Sequence, residues 1–539
     1  MDSSVIGKVA RVRASALVAT AVVAVAAGCL FVAAGASGAP AGTPLNTLVI
    51  SRITDPQSLD PAQEVTVDGG LETFVASYER LFNLTPTGKV MPALATSWSV
   101  SKNGLVYTVM LRRGVTFHDG SPFNAAAVRY TWQRIVALKS AATQYWTDVT
   151  NVVPVGNYEV QFHLKTVSPI FIATLAGERG VYMGPSESCV KAHATAKDPW
   201  AATYFTTHEC GTGAYELTSW VHNQQLVFQA YPKYWGGWKG HHVTTIIEKI
   251  VPSPSTTRLM LEQGQLDLAA DTLPTNITLE LKSESGIKVI VSPGTTIDQI
   301  SFNMSKPPTN NLLVRKALAL LFNYNAAIKL AYQGYASRAF AAIPSTVWPA
   351  LPMSAPRYNT NVVEAKKLLA EAGYSKGMTL EFSVENLNQW QTLALVLQQA
   401  ASQAGIKIKV NFSTWPVLFA QLQKPKGQKP FQLAGYEMFA AIPNPSDILM
   451  WWRQSADTVI NPGWGSATTD GWINTAMATL SQAKQAALYQ KVLTQLNDDV
   501  PAIWVDQPDN LTVMRSNVEG YQYVPYYSGL VNFYNIWKS

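Results

Sequence analysis

The stretch 92–120 constrains the architecture more than any other part of the chain. Large or β-branched side chains recur at every second position, at Trp98 and Val100 and again at Tyr107, Val109 and Leu111, on either side of an Asn103-Gly104 pair. Period two puts each set on one face of a strand. Asn-Gly accepts the positive φ angles of a two-residue turn, so the stretch predicts a β-hairpin. Asp119-Gly120 predicts a second turn, and Asn124 stands where an N-cap belongs for a helix over 125–136.

A chain of 539 residues exceeds what one hydrophobic core supports, so two or three domains are expected. With 47% apolar and 14% charged residues it has the makeup of a globular protein. The formal net charge is +6, of which Lys8, Arg11 and Arg13 against Asp2 supply +2. No long basic run follows, which argues against nucleic acid as a partner.

Residues 1–36 read as a targeting segment, a basic start followed by an uncharged run over 14–36. Three readings stay open. Ala34-Gly35-Ala36 fits the small-x-small rule for signal-peptide cleavage, and Ala26-Ala27-Gly28-Cys29 resembles a lipoprotein box in which Cys29 would be acylated. The box lacks Leu at its first position, and Leu30-Phe31-Val32 follows where a polar tether is usual. The run is also long enough to serve as an uncleaved anchor. Each reading puts the body of the chain outside the cytoplasm, at the cell surface or in the periplasm.

In an oxidising compartment Cys189 and Cys210 are expected to pair as a disulfide. The alternative is zinc, since His193 and His208 complete a set of two thiols and two imidazoles, although the spacings match no common zinc motif.

Downstream, 48–53 reads as a strand, 151–155 and 158–164 as a hairpin about Gly156-Asn157, 246–251 as a strand and 255–262 as a helix stopped by Gly264. A composition shift near Ser301 opens a second half. There a helix over 312–323 precedes a Pro-punctuated connection containing Pro344, Pro349, Pro352 and Pro356. The order strand 379–384, helix 391–404, strand 406–412 is a βαβ unit, so this half is α/β. A helix over 483–496 and a strand at 503–505 close it.

Short landmarks in order carry a resemblance. They are Leu59-Asp60-Pro61, the block 92–120, Gly211-Thr-Gly213 with Tyr215, Tyr234-Trp235-Gly236, Phe302-Asn303, Val314-Arg315-Lys316-Ala317, 365–374 and Pro501-Ala502-Ile503. Together the chain resembles the peptide/nickel class (family 5) of extracytoplasmic solute-binding proteins of ABC importers. The resemblance implies an α/β, bilobal periplasmic-binding-protein fold with a hinge and an extra domain inserted in lobe I. On this chain lobe I maps to 45–83, 210–298 and 506–539, the insert to 84–209 and lobe II to 299–505. It also implies a small-molecule ligand (peptide or oligosaccharide), an ABC permease as membrane partner, no cofactor and a monomer.

One departure bears on the ligand. Peptide-binding members carry Gly-Trp-x-x-Asp, whose aspartate holds the peptide α-amino group. Here the segment is Gly435-Tyr436-Glu437-Met438-Phe439, and Phe439 cannot form an ion pair. Strand alternation puts Glu437 on the opposite face from Tyr436 and Met438, so it is not expected to substitute. The expected ligand-binding residues are Tyr436 and Met438, the aromatics Trp390 and Trp464, Asn461 in the loop before Trp464, and Asp55. Indole and phenol faces suit apolar sugar faces, aromatic side chains and flat heterocycles, so an oligosaccharide or another stacking solute is the alternative to an oligopeptide. Nickel is disfavoured, because no His/Cys/carboxylate cluster falls in the cleft segments.

Arg315 is expected to be an ion-pair partner and His118 a turn or surface residue. A secreted hydrolase is the least favoured reading. Ser188-x-x-Lys191 and Ser481-x-x-Lys484 lack the companion motifs of penicillin-recognising enzymes, and no Gly-x-Ser-x-Gly or His-Glu-x-x-His occurs. The expected mechanism is capture by hinge bending, with hinge strands near 208–213 and 298–310.

Overall fold

A computed structural model describes residues 42–65, 72–347, 358–456, 460, 462–527 and 529–539. The expected targeting segment with Cys29, the prolines 349, 352 and 356, and Asn461 lie outside the described residues. Among those described, no helix is long and apolar enough to cross a membrane.

The hairpin forms where its pattern puts it. The chain opens on β1 (Thr47–Arg52) and a small hairpin of β2 (Phe82–Leu84) and β3 (Val90–Pro92). Then β4 (Ala95–Val100) turns through Gly104, at φ +74°, into β5 (Val106–Leu111). Strands β6 (Val149–Val155) and β7 (Glu159–Leu164) complete a separate antiparallel sheet in the order β4-β5-β7-β6. The helix Ala125–Leu138 lies against it, its first turn capped by the Asn124 side chain, which accepts from the Ala127 amide. Arg134 on that helix is buried and forms a two-pronged ion pair with Asp60, at 2.7 and 2.6 Å. That pair explains the Leu59-Asp60-Pro61 landmark.

A second, larger sheet spans the molecule. Its strands are β8 (Tyr215–Val221), β9 (Gln225–Ala230), β10 (Thr245–Ile250), β11 (Leu268–Ala269), β12 (Ile287–Pro293), β13 (Thr296–Phe302), β14 (Ala336–Arg338), β15 (Met378–Glu385), β16 (Ile406–Ser413), β17 (Leu433–Phe439) and β18 (Ala502–Arg515), together with β1. The order is β16-β15-β17-β13-β18-β11-β1-β10-β9-β8, with β12 and β14 also on β18. Two halves meet along β18. Its first residues pair with β13 and its last with β12, so the chain from 287 to 302 follows almost its whole length, broken only at Gly294-Thr295. There the Gly294 amide donates to the Pro508 carbonyl at 3.2 Å, and a Cβ at 294 would lie 2.5 Å from that oxygen. Only glycine permits this approach.

Each half has its own core. Leu48, Ile50, Phe228, Ile246 and Met514 pack in one, and Ile300, Phe302, Leu380, Phe382 and Leu393 in the other. A third cluster joins the four-stranded sheet, through Tyr107, Val109 and Phe162, to Ile448, Leu449 and Trp452 at the foot of the second half. The architecture is α/β and bilobal.

Several local readings need correction. The chain crosses between halves at 293–296 and 506–509, whereas Gly211 and Gly213 stay in the first half, packed on the Ser77 and Ala76 carbonyls. Among the described residues Arg315 has no carboxylate in salt-bridge contact; its guanidinium donates to the carbonyls of Thr309, Asn310, Asp499 and Val500, which secures the end of the helix before β18. His118 is buried against Glu209, Nδ1 to Oε2 2.7 Å, and this partner raises its pKa despite burial.

Candidate functional site

Strands β15, β16 and β17 run parallel, so their carboxyl ends, at Glu385, Ser413 and Phe439, come together. In open α/β sheets that edge is where ligands bind, because the connecting loops splay apart there. Here the edge faces residues that precede and follow Gly177 in the first half, and a cavity of about 370 Å³ lies between them. From the second half come Trp415 and Phe419, stacked with ring centroids 5.3 Å apart, then Tyr436 to Phe439, Asp447 and Trp451. Across from them stand Tyr145, Thr174, Glu178 and Arg179.

The cavity has an apolar body with a few charges. Trp415 is 38% and Phe439 42% exposed, both large for apolar side chains. The Arg179 guanidinium lies 5.4 Å from the centre of the Phe439 ring and bonds Glu178 through Nε at 2.9 Å. Asp447 accepts from the Ala441 and Ile442 amides, at 2.7 and 3.1 Å; burial outweighs those bonds and lifts its carboxyl to about 6. Glu437 is lifted to about 7, first by burial and then by repulsion from Asp298 and Glu385. As a residue Glu437 is exposed, and it lines the cavity wall. The Tyr436 hydroxyl accepts from Ser301 at 2.9 Å and donates to the Ile460 carbonyl at 3.1 Å, and burial pushes its pKa up to about 12.

Of the residues expected in the cleft, Tyr436 and Met438 line this cavity. Alternation does place Glu437 on the other face of β17, but the cavity wraps around the strand end and takes in both faces, so Glu437 lines it too. Trp390, Trp464 and Asp55 lie elsewhere. Trp390 is 1% exposed in the second-half core, at the start of the helix Asn388–Ser402 and against Gly435. Trp464 donates Nε1 to Asp499 at 2.8 Å and lines a separate depression beside Met304. Asp55 accepts from Trp220 Nε1 at 2.9 Å, with His222 3.1 Å away, outside the cavity lining. The loop tryptophans are core and cap residues because their indole N–H groups, or a glycine opposite, give them buried partners. Trp415 was missed, although an aromatic two residues past the second strand of the βαβ unit is a signal for that edge. Glu178 and Arg179 carry no periodic signal and were missed.

Cys189 and Cys210 are joined as a disulfide with Cα atoms 6.6 Å apart, tying the helix Glu187–His193 to the segment before Gly211. His193 and His208 stack on opposite sides of the Tyr204 ring, at 3.6 and 4.0 Å, and so do not complete a zinc set with the sulfurs. Lys191 pairs with Glu187 at 2.7 Å, which leaves the Ser188 motif without a lysine base.

Residues 89–459 match the family model described as bacterial extracellular solute-binding proteins, family 5 Middle. The chain belongs to that family. A curated relative, the probable D,D-dipeptide-binding periplasmic protein DdpA of Escherichia coli (strain K12), is 26% identical over 90% of this chain and 93% of its own. Two solved structures share the fold. DppA from Helicobacter pylori in complex with the peptide STSA superposes with a TM-score of 0.73 at 24% identity, over 91% of this chain and 98% of its own. NikA from Brucella suis in complex with Fe(III)-EDTA superposes at 0.80 and 21% identity, over 92% of this chain and all of its own. At those identities they speak for architecture alone. As a family 5 member the chain is an extracytoplasmic solute-binding component of ABC import.

Proposed function

We propose that this chain captures a short peptide in the cavity between its halves, closes on it, and delivers it unaltered to an ABC permease. The observation that carries the reading is the cavity itself. It holds charges of both signs, Arg179 on one wall and Glu437 and Asp447 on the other, around an aromatic body of Trp415, Phe419 and Phe439. A zwitterion with apolar side chains matches that distribution. The relative named for D,D-dipeptide binding points the same way. The Fe(III)-EDTA complex shows that one fold serves unlike solutes, so the lining residues must decide the ligand.

Closure follows from the two adjacent crossings at 293–296 and 506–509, which form a narrow hinge. We assign lobe I to 45–83, 210–298 and 506–539, its insert to 84–209 and lobe II to 299–505. A ligand touching both walls favours the closed state by the contacts that only that state offers. The test is calorimetric titration with di- to tetrapeptides and, in parallel, with cello-oligosaccharides. Micromolar or tighter peptide binding with the peptide recovered intact supports the reading. Saccharide binding in place of peptide binding, or cleavage of the peptide, overturns it.

A further inference from the structure

A second chamber lies wholly within the first half. Its volume is about 420 Å³, larger than the 370 Å³ of the cavity between the halves, and the two share no lining residue. Sites for small molecules begin at about 300 Å³. Segments 75–93, 214–236 and 522–535 build the walls, so nothing from the second half is needed to complete it. The Tyr234-Trp235-Gly236 landmark, which the interlobe cavity leaves unused, forms one side.

Rings make up much of the wall, and their polar ends are already engaged. The hydroxyls of Tyr215, Tyr527 and Tyr534 donate to the Val243, Ala176 and Gly237 carbonyls at 2.9, 2.8 and 2.8 Å. Tyr234 donates to Glu79 at 3.0 Å, and Trp235 Nε1 reaches the same carboxylate at 3.0 and 3.1 Å. A Cβ at Gly236 would fall 2.7 Å from the Tyr234 ring and 2.8 Å from the Tyr534 hydroxyl, so the glycine lets those rings close up. What the rings offer the chamber is therefore carbon surface.

The two charges in the wall are engaged as well. Glu79 has the donors just named. The Arg80 guanidinium donates to Asn83 Oδ1 at 3.1 and 3.0 Å and to the Tyr182 hydroxyl at 3.2 Å, and it lies 4.2 Å from the centre of the Tyr527 ring. One acid and one base, each held by protein, leave no seat for an ion. The open groups are amides. Among the described residues the NH2 groups of Asn83, Gln522, Asn532 and Asn535 donate to no protein atom, and the last three are exposed at the rim. Carbon faces beside amides that both donate and accept suit a ring with an apolar face and a border of hydroxyls.

We propose that this chamber is a second binding site, for one or two neutral sugar rings, used independently of the interlobe cavity. This goes beyond the proposed function and does not rest on it. Because one half supplies every wall, a sugar here is bound without drawing the lobes together.

The test is saturation-transfer NMR with glucose, N-acetylglucosamine, cellobiose and maltose, with tetramethylammonium and benzoate as ionic controls. At least one sugar is expected to bind with a Kd of about 1 mM or tighter, leaving the radius of gyration unchanged. Asn532→Ala combined with Asn535→Ala, at exposed rim positions, is expected to weaken that sugar about five- to tenfold with no shift in thermal midpoint. Asn535→Trp, which plugs the mouth, is expected to abolish binding. Sedimentation with cellulose and chitin powder separates the two sources of such a ring. Retention that soluble sugar competes away assigns a glycan chain end, and binding of the soluble sugar alone assigns a free solute. No sugar signal, saturation by an ionic control alone, or sugar binding that the rim variants leave unaltered overturns the site.

Discussion

Replacing Tyr436 by alanine removes a ring that is 2% exposed and forms part of the cavity wall, with its hydroxyl held by Ser301 and the Ile460 carbonyl. Loss of a buried aromatic costs about 3–5 kcal/mol, which urea unfolding will show, and peptide affinity should fall with it. Tyr436→Phe keeps the wall and loses only the hydroxyl bonds, about 1 kcal/mol, with affinity nearly unchanged. Unaltered affinity in the alanine variant would take Tyr436 out of the site. The acids make a second prediction. Glu437 near 7, with Asp298 and Asp447 near 6, have folded pKa values above those of an unfolded chain. Their contribution to stability is fully present at low pH and is lost as pH rises through 6 to 7. The urea midpoint of the ligand-free protein should fall between pH 5 and 8, and Glu437→Gln should flatten that fall. Tyr436 and Met438 were legible in sequence because they sit in a strand that ends at the cavity. The role of Glu437 was not, because alternation tells which face a residue takes but not where a strand stops and both faces meet water.

At the scale of elements, turns and caps were the most legible features, since they depend on near neighbours: Asn103-Gly104, Asn124 and Gly264 all act where their chemistry puts them. The long strand β18 was the least legible. Asp506-Gln507-Pro508 reads as a break, yet Pro508 is accommodated midway, where β18 passes from pairing with β13 to pairing with β12. Such a handover depends on contacts made more than 200 residues earlier in the chain, beyond any local pattern. Two substitutions test the packing that holds these elements. Gly435 on β17 faces Trp390 and Phe382, where a Cβ would come within 2.7 and 2.9 Å of their rings. Gly435→Ala should therefore cost about 1–3 kcal/mol, read as a lower thermal midpoint. Asp60→Ala strands the buried Arg134 guanidinium and should cost about 3–5 kcal/mol, which an unfolding titration will report.

For the whole molecule, two lobes joined by adjacent strand crossings leave a cavity whose walls come from both sides. A solute touching both walls stabilises their approach, and family membership supplies the destination, a permease of an ABC importer. The bilobal plan was legible because landmarks spread from Leu59 to Ile503 keep the family's order; the ligand was not, because it depends on side chains from distant segments meeting at one edge. Small-angle scattering should show a smaller radius of gyration when peptide is added, and Gly294→Val, which crowds the hinge, should blunt that change. The most direct check is native mass spectrometry of the protein mixed with a random tripeptide library, followed by denaturation and weighing of what is released. One peptide per chain, freed at its original mass, is the predicted outcome; no adduct, or a peptide returned in pieces, would contradict capture without chemistry.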